Sequence, residues 1–469
     1  MELWNTWLML VNQLELACSR KRTFFWLVTI LIGFTIKFDS LGVTSLARGA
    51  GVASIYYTSM LNFFNSTAIN LEMLQSIWSD IVFSKFGSSI VRINGRCIIA
   101  GDGIKIGKEG KKMPGVKWLH QESESNSKAE YIMGHSIQAL SILAKGLNTY
   151  FAIPLAGQIH EGIRLTYKDS RTLLDKMLGL LIGLGISEAC YLVLDKYYCS
   201  GRFMRQLVEK NIHIVTMMKH GAVAYCLPDV QRAGRRGRPK KYGEKIKLFD
   251  LFKTDLPFIK IPLPGSNNLM IEYCKMEFFW RPFGGMVQFV FTRHPTRGNA
   301  IAMSTDLTLS PADMIFIYGL RFKIEVLFKQ AVHQVGVFLY RFWLKIMNPI
   351  ARGSGNQNLQ FASRKFKENV ARKIRAYHLF MLLGFIAQGL MQYLSIYAHE
   401  TVWKNFGTWL RTIKPNTLPS EMVVSLAMAN TYNEFLMDDK YMSIFKKFLL
   451  QKIDIKRFSY LLPSKAEAA

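Results

Sequence analysis

The chain has 469 residues, half of them hydrophobic, which excludes a disordered chain and provides length for more than one domain around a large core. Lys and Arg number 60 against 33 Asp and Glu, a formal net charge of +27. Such an excess costs self-repulsion, and it points to a polyanionic partner, either nucleic acid or an anionic membrane surface.

Six cysteines, Cys18, Cys97, Cys190, Cys199, Cys226 and Cys274, are scattered without a CxxC pair, and no zinc-finger spacing with the nine histidines is visible. Reduced thiols in a cytoplasmic protein are the simplest reading.

In chain order, residues 1–88 lack strand alternation and carry spaced apolar residues, as in LEMLQSIWSDIVFSKF (71–86), which predicts a helical N-terminal region and a first candidate for DNA binding. The apolar run TFFWLVTILIGFTI (23–36) is shorter than the ~20 residues of a spanning helix. Acidic Glu2 and Glu15 precede it and no small-residue cleavage site follows, so it reads as a buried core helix and not as a signal segment.

The pattern changes near Arg92. Over 89–224, strands are predicted at RCIIAGDGIKI (96–106), YIMGHSIQALSILA (131–144) and TYFAIPLAG (149–157), then a helix at 168–185. CYLVLD (190–195) is an almost wholly apolar run ended by Asp195, which is how a strand buried on both faces reads. A helix (200–211) and a strand (212–218) follow. Residues 225–309 hold a basic loop and several β-like runs and read as a β-rich insertion. At 310 the period becomes helical and stays so to about 350, with Ser310 as cap and Pro311 at the first helical position. After a Gly/Asn-rich break, 351–469 is again helical. Its apolar stretch 377–397 contains His378, Gln388 and Gln392 and reads as a core helix, so no membrane partner is expected. The fold class is α/β, a mixed sheet covered by helices.

Chemistry-bearing residues stand out against this frame. In GDGIKIGKEGKKMPGVKWL (101–119), Asp102 lies where an apolar strand runs out, and Lys105, Lys108, Lys111, Lys112 and Lys117 follow. A phosphate loop is excluded, because Gly103 to Gly107 is one residue short of the required spacing and Glu109 follows Lys108. A buried aspartate is expensive unless it is paired or bound to metal. Asp195 ends a strand, where reactive groups gather in sheets of this kind, although a capping role explains either aspartate alone. In YGLRFKIEVLFK (318–329), Tyr318, Arg321 and Glu325 are spaced i, i+3, i+7 and share one helical face. An ordinary Arg–Glu helix pair is the plainer reading of the last two.

Together, Asp102, Asp195 and Glu325 in these segments resemble the Asp-Asp-Glu motifs of insertion-sequence transposases. The likeness covers roughly 90–345 and is greatest to the subgroup with a β-rich insertion and a Tyr-x2-Arg-x3-Glu-x6-Lys signature. Tyr318, Arg321 and Glu325 match in order and spacing. The signature lysine position holds Val332, and Lys329, one turn earlier, is the candidate substitute.

The resemblance implies an RNase H-like core (89–224 completed by 310–350), split by the insertion and flanked by helical regions. It also implies two Mg²⁺ ions, with Mn²⁺ as a substitute, held by Asp102, Asp195 and Glu325 for cleavage and strand transfer on double-stranded DNA. Cutting both element ends needs two active sites, hence a homodimer on DNA.

The lysines after Asp102 then hold DNA phosphates at the rim of the site, or form a solvated basic turn. The loop QRAGRRGRPKKYGEK (231–245) carries seven Lys/Arg. Arg235, Arg236, Arg238, Lys240 and Lys241 suit an A·T-rich minor groove or a non-specific phosphate contact. Trp280 is assigned either to a flipped base, by the same resemblance, or to core packing. An inactive DNA-binding relative, another RNase H-like nuclease and a membrane-associated protein stay open as rivals.

Overall fold

The computed structural model describes residues 2–121, 129–166, 168–228, 240–263, 269–407, 416–438 and 443–454. Its centre is a mixed sheet of 13 strands. We label the main ones β1 (Arg96–Gly107), β2 (Lys117–His120), β3 (Tyr131–Lys145), β4 (Tyr150–Ile159), β5 (Cys190–Val193), β6 (Ile212–Met217), β7 (Val223–Tyr225), β8 (Lys245–Lys247), β9 (Met270–Trp280), β10 (Gly285–His294) and β11 (Gly298–Ser304). The order is β8-β7-β9-β10-β11-β6-β5-β1-β3-β2, with β4 pairing antiparallel with β3 through Ile137 to Lys145, beyond the stretch that pairs with β2. Only β6, β5 and β1 run parallel to one another; the other main pairs are antiparallel.

The predicted elements from 96 to 218 are present, with the helix expected over 168–185 trimmed to Leu173–Ile182. The strands of the β-rich segment do not form a separate sheet. β11 pairs antiparallel with β6 through Ala302 to Ser304, so the segment extends the same sheet. The stretch at 248–253, read as part of a β-like run, is instead a short 3-10 turn.

Helices cover the sheet. We label α1 (Lys21–Ile36), α2 (Leu71–Lys85), α3 (Leu173–Ile182), α4 (Gly201–Val208), α5 (Pro311–Leu320), α6 (Phe322–Gln330) and α7 (Arg364–Tyr397). The long α7 packs on β4 and α1. It is the one helix among the described residues long and apolar enough to cross a membrane, and 89% of its apolar window is buried inside the protein. Its polar residues are partnered through their amide nitrogens, Gln388 donating to Leu327 O at 3.2 Å and Gln392 to Ala152 O at 3.3 Å, while both amide oxygens are buried without a partner among the described residues. Gly389 lets α7 approach α2, since a Cβ there would stand 2.3 Å from the Trp78 ring, whose Nε1 donates to Pro154 O at 2.8 Å.

One long helix was expected from Ser310. The cap is as predicted, with Ser310 Oγ accepting from Asp313 N at 3.1 Å and Pro311 at the helix start. The helix then breaks at Arg321, which joins α5 to α6. Beyond α6 a π turn (Ala331–Val335) ends at Gly336, whose φ of 73° lies in the left-handed region that glycine adopts without strain.

Candidate active site

The site lies at the carboxyl ends of the parallel strands. β5 pairs with β1 only through Cys97 to Ala100. Past that point β1 continues beside β3 alone, and its burial switches from continuous to alternating at Asp102. Asp102 is therefore the second residue beyond the end of its parallel partner, and Asp195 is the second residue beyond the end of β5. Gly101 is tight against this turn, because a Cβ there would stand 2.7 Å from the Leu194 side chain.

The Asp102 carboxylate is mostly buried. Its Oδ1 accepts the Gly103 N–H at 2.8 Å and its Oδ2 accepts Arg321 Nη1 at 2.9 Å. Burial pushes its pKa up to about 6 against the opposing pull of Arg321, and the charges of Asp195 and Glu325 add to the rise. Asp195 begins a 3-10 turn (Lys196–Tyr198); its backbone carbonyl accepts from Tyr198 N at 3.0 Å. Its carboxylate has no hydrogen bond or ion pair among the described residues.

Glu325 sits in the first turn of α6, where a carboxylate favours the helix dipole. Its Oε1 accepts Arg321 Nη2 at 2.7 Å. The Arg321 fork thus spans Asp102 and Glu325, with its side chain only 16% exposed. Arg321 Nε is buried and has no acceptor among the described residues. The Arg321 guanidinium lies 5.8 Å from the centre of the Tyr318 ring, and burial raises the Tyr318 hydroxyl's pKa.

Sequence reasoning missed two neighbours, Tyr198 and Gln138. Gln138 Nε2 lies 3.3 Å from Tyr198 Oη, while its Oε1 is buried without a partner. Burial raises the Tyr198 pKa and both aspartates add to the rise. The only signal for Tyr198 was its place three residues after Asp195; nothing marked Gln138 inside a hydrophobic strand.

The expected ligand set is oxygen-only, which suits a hard divalent cation. Asp195 without a counter-cation and Asp102 with its raised pKa fit such an ion. Yet no group of three ligating side chains able to hold a metal occurs among the described residues. Arg321 takes up one oxygen of Asp102 and one of Glu325.

The basic residues divide. Lys329 is exposed in the last turn of α6. Lys105 is exposed but donates to His120 O at 2.7 Å, Lys112 reaches Lys345 O at 3.2 Å, and Lys111 is exposed. Lys117 is paired with Glu161 at 2.6 Å. Lys108 departs from the rim expectation: its Nζ donates to the Phe338 and Tyr340 carbonyls and lies 3.7 Å from the Tyr340 ring centre. Burial lowers its pKa to about 7, with Arg341 adding to the fall.

Trp280 is 6% exposed at the end of β9, where its ring is packed into the core. Lys240 and Lys241 border the start of the described segment 240–263, and Lys241 Nζ lies 5.9 Å from the Tyr242 ring centre. Arg235, Arg236 and Arg238 lie outside the described residues.

A family model described as DDE superfamily endonuclease matches residues 13–253. The chain belongs to the DDE superfamily of endonucleases. The matched span of this endonuclease holds Asp102 and Asp195 and ends before Glu325. No curated protein matches it.

Among solved structures, the endonuclease is similar to a piggyBac transposase synaptic complex with hairpin DNA, at 12% identity and a TM-score of 0.36, covering 95% of this chain and 77% of that one. It is also similar to the NurA nuclease from Sulfolobus solfataricus, at 10% identity and a TM-score of 0.22, covering 57% of this chain and 86% of that one. At such scores neither neighbour's activity carries over to this endonuclease.

Proposed function

We propose that this DDE endonuclease is a DNA transposase that cleaves double-stranded DNA at element ends and joins the freed end to target DNA, on an RNase H-like core. The observation that supports it most is the placement of Asp102 on β1 just past its parallel pairing with β5, and of Asp195 just past the end of β5, with Glu325 tied to Asp102 through Arg321.

In this reading Asp102 and Asp195 would hold divalent cations, Mg²⁺ or Mn²⁺, and Glu325 would join them when Arg321 turns toward a substrate phosphate. Bound there, two such ions supply activation of the attacking oxygen and neutralisation of the leaving one. Arg321 brings a donor, Nε, that has no acceptor among the described residues; a phosphate oxygen would satisfy it. The Tyr318 ring lies beside Arg321, 5.8 Å from the guanidinium, and would meet the same phosphate. Water attacks phosphorus and the strand's 3′-oxygen leaves as a hydroxyl. That hydroxyl then attacks a target phosphorus and displaces the target's own 3′-oxygen. Two ends require two copies of the chain, so a homodimer on DNA is part of the proposal.

The test is cleavage of a supercoiled plasmid carrying the coding segment and its flanks. The expected result is Mg²⁺- or Mn²⁺-dependent nicking by the parent and none by Asp102→Asn, with DNA binding retained. Nicking by Asp102→Asn at the parent's rate overturns the assignment. An inactive DNA-binding relative is the second reading, favoured by Val332 at the signature position and by the guanidinium between two of the carboxylates. DNA binding without nicking by the parent selects it.

A further inference from the structure

A cleft of about 790 Å³ lies beyond the carboxylate site. Two elements lead to it. β1 carries Asp102 and reaches the cleft at Ile106 and Gly107; α6 carries Glu325, and Val332 just past its end lines the same cleft. Four residues of strand span about 13 Å, and seven residues at helical rise about 10 Å. At ~3.4 Å per nucleotide along a strand, that is a run of about three to four nucleotides from the carboxylates.

The cleft is built between two segments held together by main-chain bonds, Leu344 N to Lys112 O at 2.9 Å and Ile350 N to Lys111 O at 2.7 Å. Gly110 leaves room for Trp343, since a Cβ there would lie 2.9 Å from the indole Nε1. Trp343 is nevertheless 61% exposed. Trp118 and Tyr131 stack face to face across the cleft wall, with centroids 5.4 Å apart and planes 4° apart.

The charges are as unusual as the rings. Lys111, Arg341 and Arg352 line the cleft, are exposed, and form no ion pair among the described residues. Arg352 lies over the Trp118 ring at 5.8 Å. Glu109 is the single acid in the lining. Rings beside unpaired cations are what a single-stranded nucleic acid needs, with bases on aromatic faces and phosphates on Lys and Arg. The volume falls in the ~300–1,000 Å³ range of small-ligand clefts, suited to an unpaired nucleotide and not to a duplex.

We infer that this cleft holds an unpaired nucleotide of the DNA strand lying across the carboxylate site. Trp343 and the Trp118–Tyr131 stack take its base, and Lys111, Arg341 and Arg352 take its phosphates. The inference rests on the DNA-cleaving reading for its substrate, and it adds a site outside the carboxylates and Tyr318.

The test uses the full chain with EDTA present, so that no cleavage occurs. The probes are a short blunt DNA duplex and the same duplex with a single-stranded extension containing 2-aminopurine. The extended duplex is expected to bind about tenfold more tightly than the blunt one, the range of one stacked base, with 2-aminopurine fluorescence quenched. Trp343→Ala and Arg341→Ala, both at exposed positions with unchanged melting as the check of folding, each lose that preference. Equal affinity of the parent for both probes overturns the inference, as does a preference that survives in the Trp343→Ala/Arg341→Ala double variant. The plasmid assay separates the two claims: nicking without the preference defeats the cleft alone, whereas the preference without nicking defeats the catalytic reading and leaves the cleft standing.

Discussion

Arg321 Nη1 lies 2.9 Å from Asp102 Oδ2, joining a residue at the junction of two helices to the middle of a strand 219 positions earlier in the chain. The other arm of the same fork holds Glu325. One guanidinium therefore organises two of the three carboxylates.

Arg321→Ala is expected to lower stability at neutral pH by about 1–3 kcal/mol, the cost of leaving a mostly buried charged acceptor without its donor. Arg321→Lys is not expected to recover the loss, because a single ammonium does not span both carboxylates. Chemical denaturation midpoints give the answer; an unchanged midpoint in Arg321→Ala removes the bridge from the account.

Asp102 is expected to be a group whose ionisation weakens the fold. Its pKa in the folded chain, about 6, stands above the ordinary 3.8. The folded state therefore binds the extra proton, and stability falls as pH rises from about 4 through 6, by about 2–3 kcal/mol in all. Asp102→Asn should lack that slope and be at least as stable as the parent above pH 6. A pH titration of the metal-free proteins by thermal or denaturant unfolding measures it; identical slopes refute the prediction.

The sequence carried the outline of this site. Asp102 and Asp195 were legible because an apolar run that ends in a carboxylate marks a strand leaving the core. The parallel register of β1 and β5 was not, since pairing depends on chain segments about 90 residues apart. Periodicity placed Tyr318, Arg321 and Glu325 on one face but could not show the break at Arg321, where the local phase barely changes. Lys108, whose amine meets the Phe338 and Tyr340 carbonyls, and Trp280, which is buried, show the same point: residue type signals what a side chain is able to bind, while burial decides whether it is available. Strands occur in the described parts of 225–309, apart from the 3-10 turn at 248–253, yet nothing local in the segment announces that β11 docks on β6.

Lys108 offers a pH effect of opposite sign. Its pKa is lowered from 10.5 to about 7 by burial, so the unfolded chain binds the extra proton between those values. Stability should rise with pH from about 7 toward 10, at up to ~1.4 kcal/mol per unit from this group. In Lys108→Met that rise is expected to disappear. Unfolding midpoints at several pH values check it, and a parent-like rise in the variant contradicts it.

Trp280→Ala should cost about 3–5 kcal/mol, the usual loss for truncating a large buried aromatic side chain, while Trp280→Phe should lose much less. If calorimetry finds Trp280→Ala as stable as the parent, the ring does not pack as described, and a role on DNA returns to consideration.

The pairing of β11 with β6 bears on how this protein can be cut into pieces. A fragment ending where the family match ends, at residue 253, keeps both aspartates but loses β9, β10 and β11. β6, with Ile214 and Val215 fully buried, would then have a bare backbone edge beside an apolar face. Such an edge recruits other chains. The two-aspartate portion is thus not a portable module: its solubility depends on strands encoded some 50 residues downstream of its apparent boundary.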